Sequence, residues 1–344
     1  MAETRLELTR SQILAFRRRT NALEARLAAG ASSLRHAAWA GLQDSMPRAA
    51  LLSIHARVEG TEPSTLSDPS LVQLWGPRFS VFVVAERDRA IFSLARLPDE
   101  SKGRQRAEDL ARRLKDILAG ERMKYGDAGR ALGVHPNSLR YAAATGTVLI
   151  GWDGAKQPTV WTVPAPEMSP HEARLELARR YLHVYGPTTA ESFSQWAGIS
   201  LRSSVATFDA LRSVLTPVRS PIGDAWILTS DETSCRAPEG AGAGAGATAR
   251  LLPSGDAYLL LQGPDRELLV PNVEHQRLLW TPRVWPGGLL VGGEIVGTWR
   301  RSAETLTVQL WRDLSRSERS AVEDEAESLP LPDLARQISV RWEA

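Results

Sequence analysis

Apolar residues recur every three or four positions through much of the chain and cluster only in short runs. The pattern therefore predicts helices interspersed with small sheets. Ser11 is placed to cap a helix through Leu27, with Ile13, Leu14, Phe16, Leu23 and Leu27 near helical spacing and Gly30 closing it. A second helix is predicted over Ser33–Ala40. A third spans Pro47–Val58, where the missing N–H of Pro47 costs nothing at a first helical position. Val81–Ala85 reads as a buried strand and Asp88–Leu97 as a short helix. Helices followed by a strand fit a winged helix, although no second wing strand stands out here.

From Pro98 the pattern starts again. Arg104–Leu118 is amphipathic, with Leu110, Leu114 and Ile117 on one face. Asp127–Leu132, a turn at Gly133 and Pro136–Ala144 have helix-turn-helix spacing. Val148–Trp152 and Thr159–Val163 flank the turn Asp153–Gly154 as a hairpin wing. A third unit follows Pro164–Pro170, with helices His171–Val184, Thr188–Trp196 and Leu201–Leu215 and a strand at Trp226–Leu228. Gly240–Ala247 (GAGAGAGA) carries almost no side-chain bulk and reads as a flexible linker. The last unit has expected strands at Ala257–Leu261, Leu289–Val291, Glu294–Trp299 and Leu306–Leu310, and a helix over Ser315–Ser328. Three helix-plus-wing units make a coarse repeat. The expected boundaries are 1–98, 99–168, 169–236, a linker at 237–249, and 250–344.

Composition narrows the chemistry. In 344 residues the net charge is only +2, yet 38 of the 42 basic residues are Arg, whose fork matches phosphate oxygens. The charge is unevenly spread: residues 1–40 carry +4, residues 101–140 carry +5 and the last 44 carry −3. A single cysteine, Cys235, excludes an internal disulfide and a Cys-based zinc site. The six histidines show no ligand spacing, so no metal and no cofactor are expected. The Gly-rich tract lacks the Lys-Ser/Thr of a P-loop, and no G-x-S-x-G elbow occurs. Met1–Leu8 has no apolar run, and no apolar stretch approaches the roughly 20 residues that span a bilayer. The expectation is a cytoplasmic, nucleoid-associated protein with no membrane contact.

Three ordered blocks resemble one family. Arg180–Ile199 (RYLHVYGPTTAESFSQWAGI), Leu289–Arg301 (LLVGGEIVGTWRR) and Gly41–Val58 (GLQDSMPRAALLSIHARV) are similar to blocks of the winged-helix DNA glycosylases of the AlkZ/YcaQ type. The resemblance runs from about Leu8 to Glu327. It implies an α+β protein: three tandem winged-helix motifs with a C-terminal β-rich part, shaped to cradle duplex DNA. It also implies excision of bulky or alkylated bases, including adducts of genotoxic antibiotics in producing organisms. Two departures stand out. The family's Gln-Φ-Gln or Gln-Φ-Asp motif, where Φ is apolar, is Gln43-Asp44-Ser45 here. Its R-G-T-x-H block is reduced to the Arg of Arg78-Phe79-Ser80-Val81-Phe82, after Trp75.

Hydrolysis of an N-glycosidic bond needs a leaving base, a stabilised sugar cation and a water held beneath C1′. The resemblance points to Gln43 for the water, and Asp44 and Ser45, where the chain departs from the family pattern, are the candidates for the remaining tasks. Gln43 would hold the water through its amide. Asp44, the only charge of the three, would stabilise the cation and act as base. Ser45 would orient the water or bond the backbone. The competing reading makes Asp44 and Ser45 a polar lead-in to the following helix. DNA contacts are expected from Arg48, Arg78, His135, Asn137, Ser138, Arg140, Trp299, Arg300 and Arg301, with core packing the competing reading for Trp299. Only four lysines occur, none near Gln43 in sequence, which favours a monofunctional hydrolase over Schiff-base chemistry. The expected activity is hydrolysis at bulky alkylated purines, N7-guanine adducts of a genotoxic natural product, by a monomer acting on adduct-bearing double-stranded DNA. The alternative is a non-catalytic winged-helix protein that binds damaged or regulatory DNA.

Overall fold

One order of elements, helix–strand–helix–helix–strand–strand, is laid down three times along the chain. The computed structural model describes residues 5–152, 154, 156–237, 248–331 and 338–343. Before the first repeat come β1 (Leu6–Glu7) and α1 (Arg10–Thr20). The first repeat comprises α2 (Ala31–Ala37), β2 (Leu42–Gln43), α3 (Ala49–His55), a 3-10 turn at Pro63–Ser67, β3 (Leu71–Trp75) and β4 (Val81–Ala85), and α4 (Arg89–Leu94) follows it. The second comprises α5 (Ser101–Leu118), β5 (Met123–Lys124), α6 (Tyr125–Leu132), a 3-10 turn running into α7 (Leu139–Ala143), β6 (Val148–Gly151) and β7 (Thr159–Thr162). In the third, α8 (Pro170–Tyr185), α9 (Ala190–Ala197) and α10 (Leu201–Ala210) precede β8 (Leu215–Ser220) and β9 (Gly223–Leu228), and α11 (Glu232–Arg236) closes it. Its first strand is a single bridge, Thr188 to Trp226.

The repeats are not separate modules. The strands of the first two form one sheet, ordered β2-β4-β3-β6-β7-β5, joined where Gln73 pairs with Ile150. The expected boundary at residue 98 therefore crosses a shared sheet. Residues 5–20 likewise belong elsewhere: β1 pairs with β8 of the third repeat, and α1 packs on α8, α11 and α12 (Asp265–Leu269). The C-terminal part holds β10 (Ala249–Leu252), α12, α13 (Val273–Leu279), β11 (Gly287–Val291), β12 (Glu294–Ser302), β13 (Thr305–Leu310), α14 (Arg316–Glu327) and β14 (Ser339–Glu343), with its strands in sequence order in one sheet. Asp153 and the expected linker Gly240–Ala247 lie outside the described residues. Among the described residues no helix is long and apolar enough to cross a membrane.

Local chemistry sets the helix bounds. Ser169 and Glu172 form a capping box with Pro170 at the first position of α8, and Ser315 and Glu318 do the same for α14. Helix α1 starts on the Thr9–Gln12 box and stops early at Thr20, because Ala22 turns left-handed at φ 51°. Leu27 is instead bridged to Val58. Two strand expectations change as well. The strand that pairs with Val81–Ala85 from within the first repeat is β3, which precedes it in sequence. The Ala257–Leu261 stretch is not a strand: Ala257–Leu259 forms a 3-10 turn, and the apolar run is buried throughout. The Trp280 indole N–H fastens that run at Leu259 O, 3.0 Å away. The largest core gathers Phe82, Phe92, Tyr181, Phe193, Trp196 and Leu259, and so joins the first repeat, the third repeat and the C-terminal part. Each fully buried large apolar side chain contributes about 1.5–3 kcal/mol.

Candidate active site

Strand β2 ends on Gln43, the loop after it carries Asp44 and Ser45, and strand geometry separates the motif residues. In the sheet Gln43 stands in a row with Phe82 and Leu74, whereas Leu42 stands with Val83 and Gln73. Successive strand residues face opposite sides. The half-buried Gln43 thus faces the main core side. There Arg78 Nη2 donates to its Oε1 at 3.4 Å. On its other side the backbone of Gly255 comes so close that an added Cβ would lie 3.3 Å from Gln43 Nε2.

Asp44 is turned to the opposite face and is 3% exposed. Its Oδ1 accepts the Ala50 N–H at 3.0 Å, and its Oδ2 accepts Gln73 Nε2 at 2.7 Å. Burial raises its pKa to about 6, against the lowering effect of those two hydrogen bonds. The carboxylate therefore binds the first turn of α3, as the polar lead-in reading expects, and Gln43 and Asp44 are not brought together. Ser45 lies exposed in the bend that follows.

Among the described residues no carboxylate pairs with Arg78, and its surroundings hold it instead. It and Phe79 both adopt left-handed backbone, at φ 54° and 58°, which is costly for side chains of this size. The constraint comes from three sides. Gly198, at the end of α9, leaves only 3.1 Å between an added Cβ and the Arg78 backbone. Arg96 lies over the Phe79 ring at 4.3 Å, and Tyr141 meets that ring edge-on. Burial lowers the Arg78 pKa, and Tyr185 and Tyr181 are its next influences. Strain of this kind clusters at functional sites.

Gly255 is fixed by its neighbour. Asp256 is fully buried and receives both terminal nitrogens of Arg57 at 2.8 Å, together with Ser53 Oγ at 2.6 Å. This ion pair ties α3 to the turn after β10 and sets that turn against Gln43. Sequence reasoning missed Asp256, which stands just before the stretch Ala257–Leu261 that read as a strand. It also missed Gln73, whose signal was the one polar residue in the apolar run Leu71–Trp75.

The expected DNA-contact residues fall into three places. Arg48, left-handed at φ 63° just before α3, lines a groove of about 720 Å³ together with Arg122, Lys156, Gln73, Trp152 and Trp161. Arg122 stacks over Trp161 at 4.1 Å. Arg48 also acts electrostatically on Arg301, 253 residues later, so two distant basic residues converge. Arg301 donates to Ala303 O and Arg300 to Val284 O. Trp299 is 7% exposed and donates to Leu252 O at 2.9 Å; it is core, packed between sheet and turn.

The recognition segment differs from its expectation. The expected helix Pro136–Ala144 is a 3-10 turn followed by the five-residue α7. The His135 ring itself caps this turn, with Nδ1 accepting the Asn137 N–H at 3.2 Å. Tyr125 donates to Asn137 Oδ1 at 2.6 Å, and Arg140 lies against the same tyrosine. Ser138 lines a second groove with Lys102, Arg106, Arg113 and Tyr141.

Comparison with known proteins places this geometry. A family model described as DNA glycosylase AlkZ-like matches residues 34–330. An interstrand DNA cross-link repair glycosylase of Streptomyces sahachiroi is 26% identical over 221 residues, covering 56% of this chain and 57% of that relative. The aligned stretch thus spans a little over half the length of the curated relative. The solved structure of the Streptomyces sahachiroi DNA glycosylase AlkZ superposes with a TM-score of 0.78 at 21% identity, covering 98% of this chain and 100% of the other.

Proposed function

The chain belongs to the AlkZ-like DNA glycosylase family, and from that membership we propose that it is a monofunctional glycosylase that hydrolyses the N-glycosidic bond of bulky alkylated purines in duplex DNA. Gln43 is the catalytic residue of this reading. With Arg78 on one lone pair of Oε1, the amide keeps its second lone pair for a proton of the attacking water.

The turning of Asp44 away from Gln43 carries the choice of substrate. An amide orients water but does not take its proton, and the one carboxylate of the motif is spent on the loop. Such a site suits a base that leaves readily. An N7-alkylated guanine is cationic: the glycosidic electron pair moves onto N9, the base departs neutral, and water adds at C1′ and loses its proton to solvent. The Streptomyces sahachiroi relative is an interstrand DNA cross-link repair glycosylase, which extends this reading to adducts that bridge the strands. The lesion class is the adduct of a DNA-damaging natural product, removed for self-protection.

The element order repeated three times supports reading the repeats as winged helices that cradle the duplex. The grooves at Arg48, Arg122 and Lys156 and at Lys102, Arg106 and Arg113 supply positive charge for phosphates. The test is incubation with adduct-bearing duplex followed by mild alkali, which breaks DNA at abasic sites. Strand breaks above the enzyme-free control support the glycosylase. Retained duplex with no breaks supports the non-catalytic binder.

A further inference from the structure

The Gln73 side chain is committed on every hydrogen-bonding position that orients it. Its Nε2 donates to Asp44 Oδ2 at 2.7 Å and to Trp152 O at 2.9 Å, and its Oε1 accepts the Trp152 N–H at 2.6 Å. A flipped amide would set donor against donor at Trp152 N and acceptor against acceptor at Asp44, so one orientation alone satisfies the site. The same residue makes the single backbone pairing between β3 and β6, opposite Ile150. Two residues further on, its side chain replaces the next rung of the ladder by binding the Trp152 peptide from both ends. The far end of the β6–β7 turn also abuts the loop: a Cβ on Gly154 would lie 2.7 Å from Pro47 Cβ.

We infer that Gln73 is a positioning residue that fastens the loop following Gln43, through Asp44, to the β6–β7 hairpin, so that loop and hairpin move as one body. The chain of contacts is continuous. Trp152 holds Gln73, Gln73 holds Asp44, and Asp44 holds the Ala50 N–H at the start of α3. Arg48 and Gln73 line the same groove as Trp152, Arg122 and Lys156, so a strand seated there presses on both halves of the latch. The catalytic consequence rests on the reading of Gln43 given above. The latch itself does not.

Reversing the polarity of the latch tests it. Gln73→Glu sets a second carboxylate against Asp44, while Asp44→Asn with Gln73→Glu restores a donor facing an acceptor. The groups that face Asp44 are the uncharged Ala50 and Gln73 amides; the charged side chains lining the adjoining groove are Arg48, Asp68, Arg122 and Lys156. Single-turnover base release by Gln73→Glu is expected to fall about tenfold or more near pH 8, with duplex affinity changed less than about threefold. It should recover as pH falls toward about 6, where the two carboxylates share a proton. The double variant should regain at least about half of the lost rate on a logarithmic scale. Wild-type rates in Gln73→Glu, or a double variant no faster than Gln73→Glu, overturn the inference.

A second readout needs no activity. In Gln73→Ala, amide hydrogen exchange over residues 44–50 and 148–152 should quicken about tenfold relative to α8. Unchanged exchange overturns the latch. Quickened exchange in Gln73→Ala, where the wild-type protein itself releases no base, upholds the latch and overturns the catalytic reading instead.

Discussion

Arg78 reaches Gln43 across a separation of 35 residues, its Nη2 3.4 Å from the amide oxygen, from a backbone that is left-handed at Arg78 and Phe79. The contact joins two blocks that the sequence shows separately: the motif loop and the Arg that survives from an otherwise eroded segment. With Gln43 proposed as the water-holding residue, the contact offers that Arg a task nearer to chemistry than phosphate binding.

Removing the guanidinium frees the Gln43 amide to rotate. Arg78→Ala is expected to slow single-turnover base release about tenfold, or about 1.4 kcal/mol in the barrier. Duplex affinity should change less, because the guanidinium is largely buried. Rate and affinity measured side by side check this. An equal loss in both would return Arg78 to the role of a phosphate contact.

Asp44 makes stability depend on pH. Its folded pKa, near 6, lies above its ordinary value of 3.8, so the folded state binds the proton more tightly than the unfolded one. This contribution is fully present below the ordinary value and is lost as pH rises through about 6. The Tm of wild type relative to Asp44→Asn should therefore decline between about pH 4 and pH 6.5 and then level off. A difference that grows with pH would show that the carboxylate is stabilised as the anion.

The Arg57–Asp256 pair, 1% and 0% exposed, holds the Gly255 turn against Gln43. Asp256→Ala leaves a buried guanidinium unpaired and should cost about 3–5 kcal/mol of stability, read by denaturant unfolding. Replacing both partners with apolar residues, Arg57→Met with Asp256→Leu, should cost less than the single change. If the double variant is the less stable one, the pair contributes more than the avoidance of an orphan charge.

Arg48 and Arg301 converge although 253 residues separate them. Neutralising either one should weaken binding to damaged and undamaged duplex alike and reduce the logarithmic salt slope by about 1. Titrations across a range of salt concentrations check this. An unchanged slope would place both residues off the DNA.

The sequence foretold strongly periodic elements best. Arg104–Leu118 and Ser315–Ser328 are α5 and α14 within a few residues, because one apolar face against solvent fixes both type and length. Buried segments were harder. Ala257–Leu261 is apolar on every side, and that pattern does not separate a strand from a buried turn. The strand β3 was hidden by its polar Gln73, which is polar because it binds two other segments. Leu215, read as the end of a helix, begins β8, whose partners β1 and β9 are set by tertiary pairing. At the candidate site the motif singled out the segment Gln43–Ser45. The opposite facing of Gln43 and Asp44 was not legible, since it follows from β2 being a strand paired to β4.

The central claim is that the Gln43 amide holds the water that cleaves the glycosidic bond. Single-turnover release of a modified purine from adduct-bearing duplex, with Gln43→Ala beside wild type at saturating protein, tests it most directly. The account predicts a fall of about 100-fold or more, with duplex affinity within about threefold of wild type. A Gln43→Ala protein that folds, binds and releases base at the wild-type rate would contradict it.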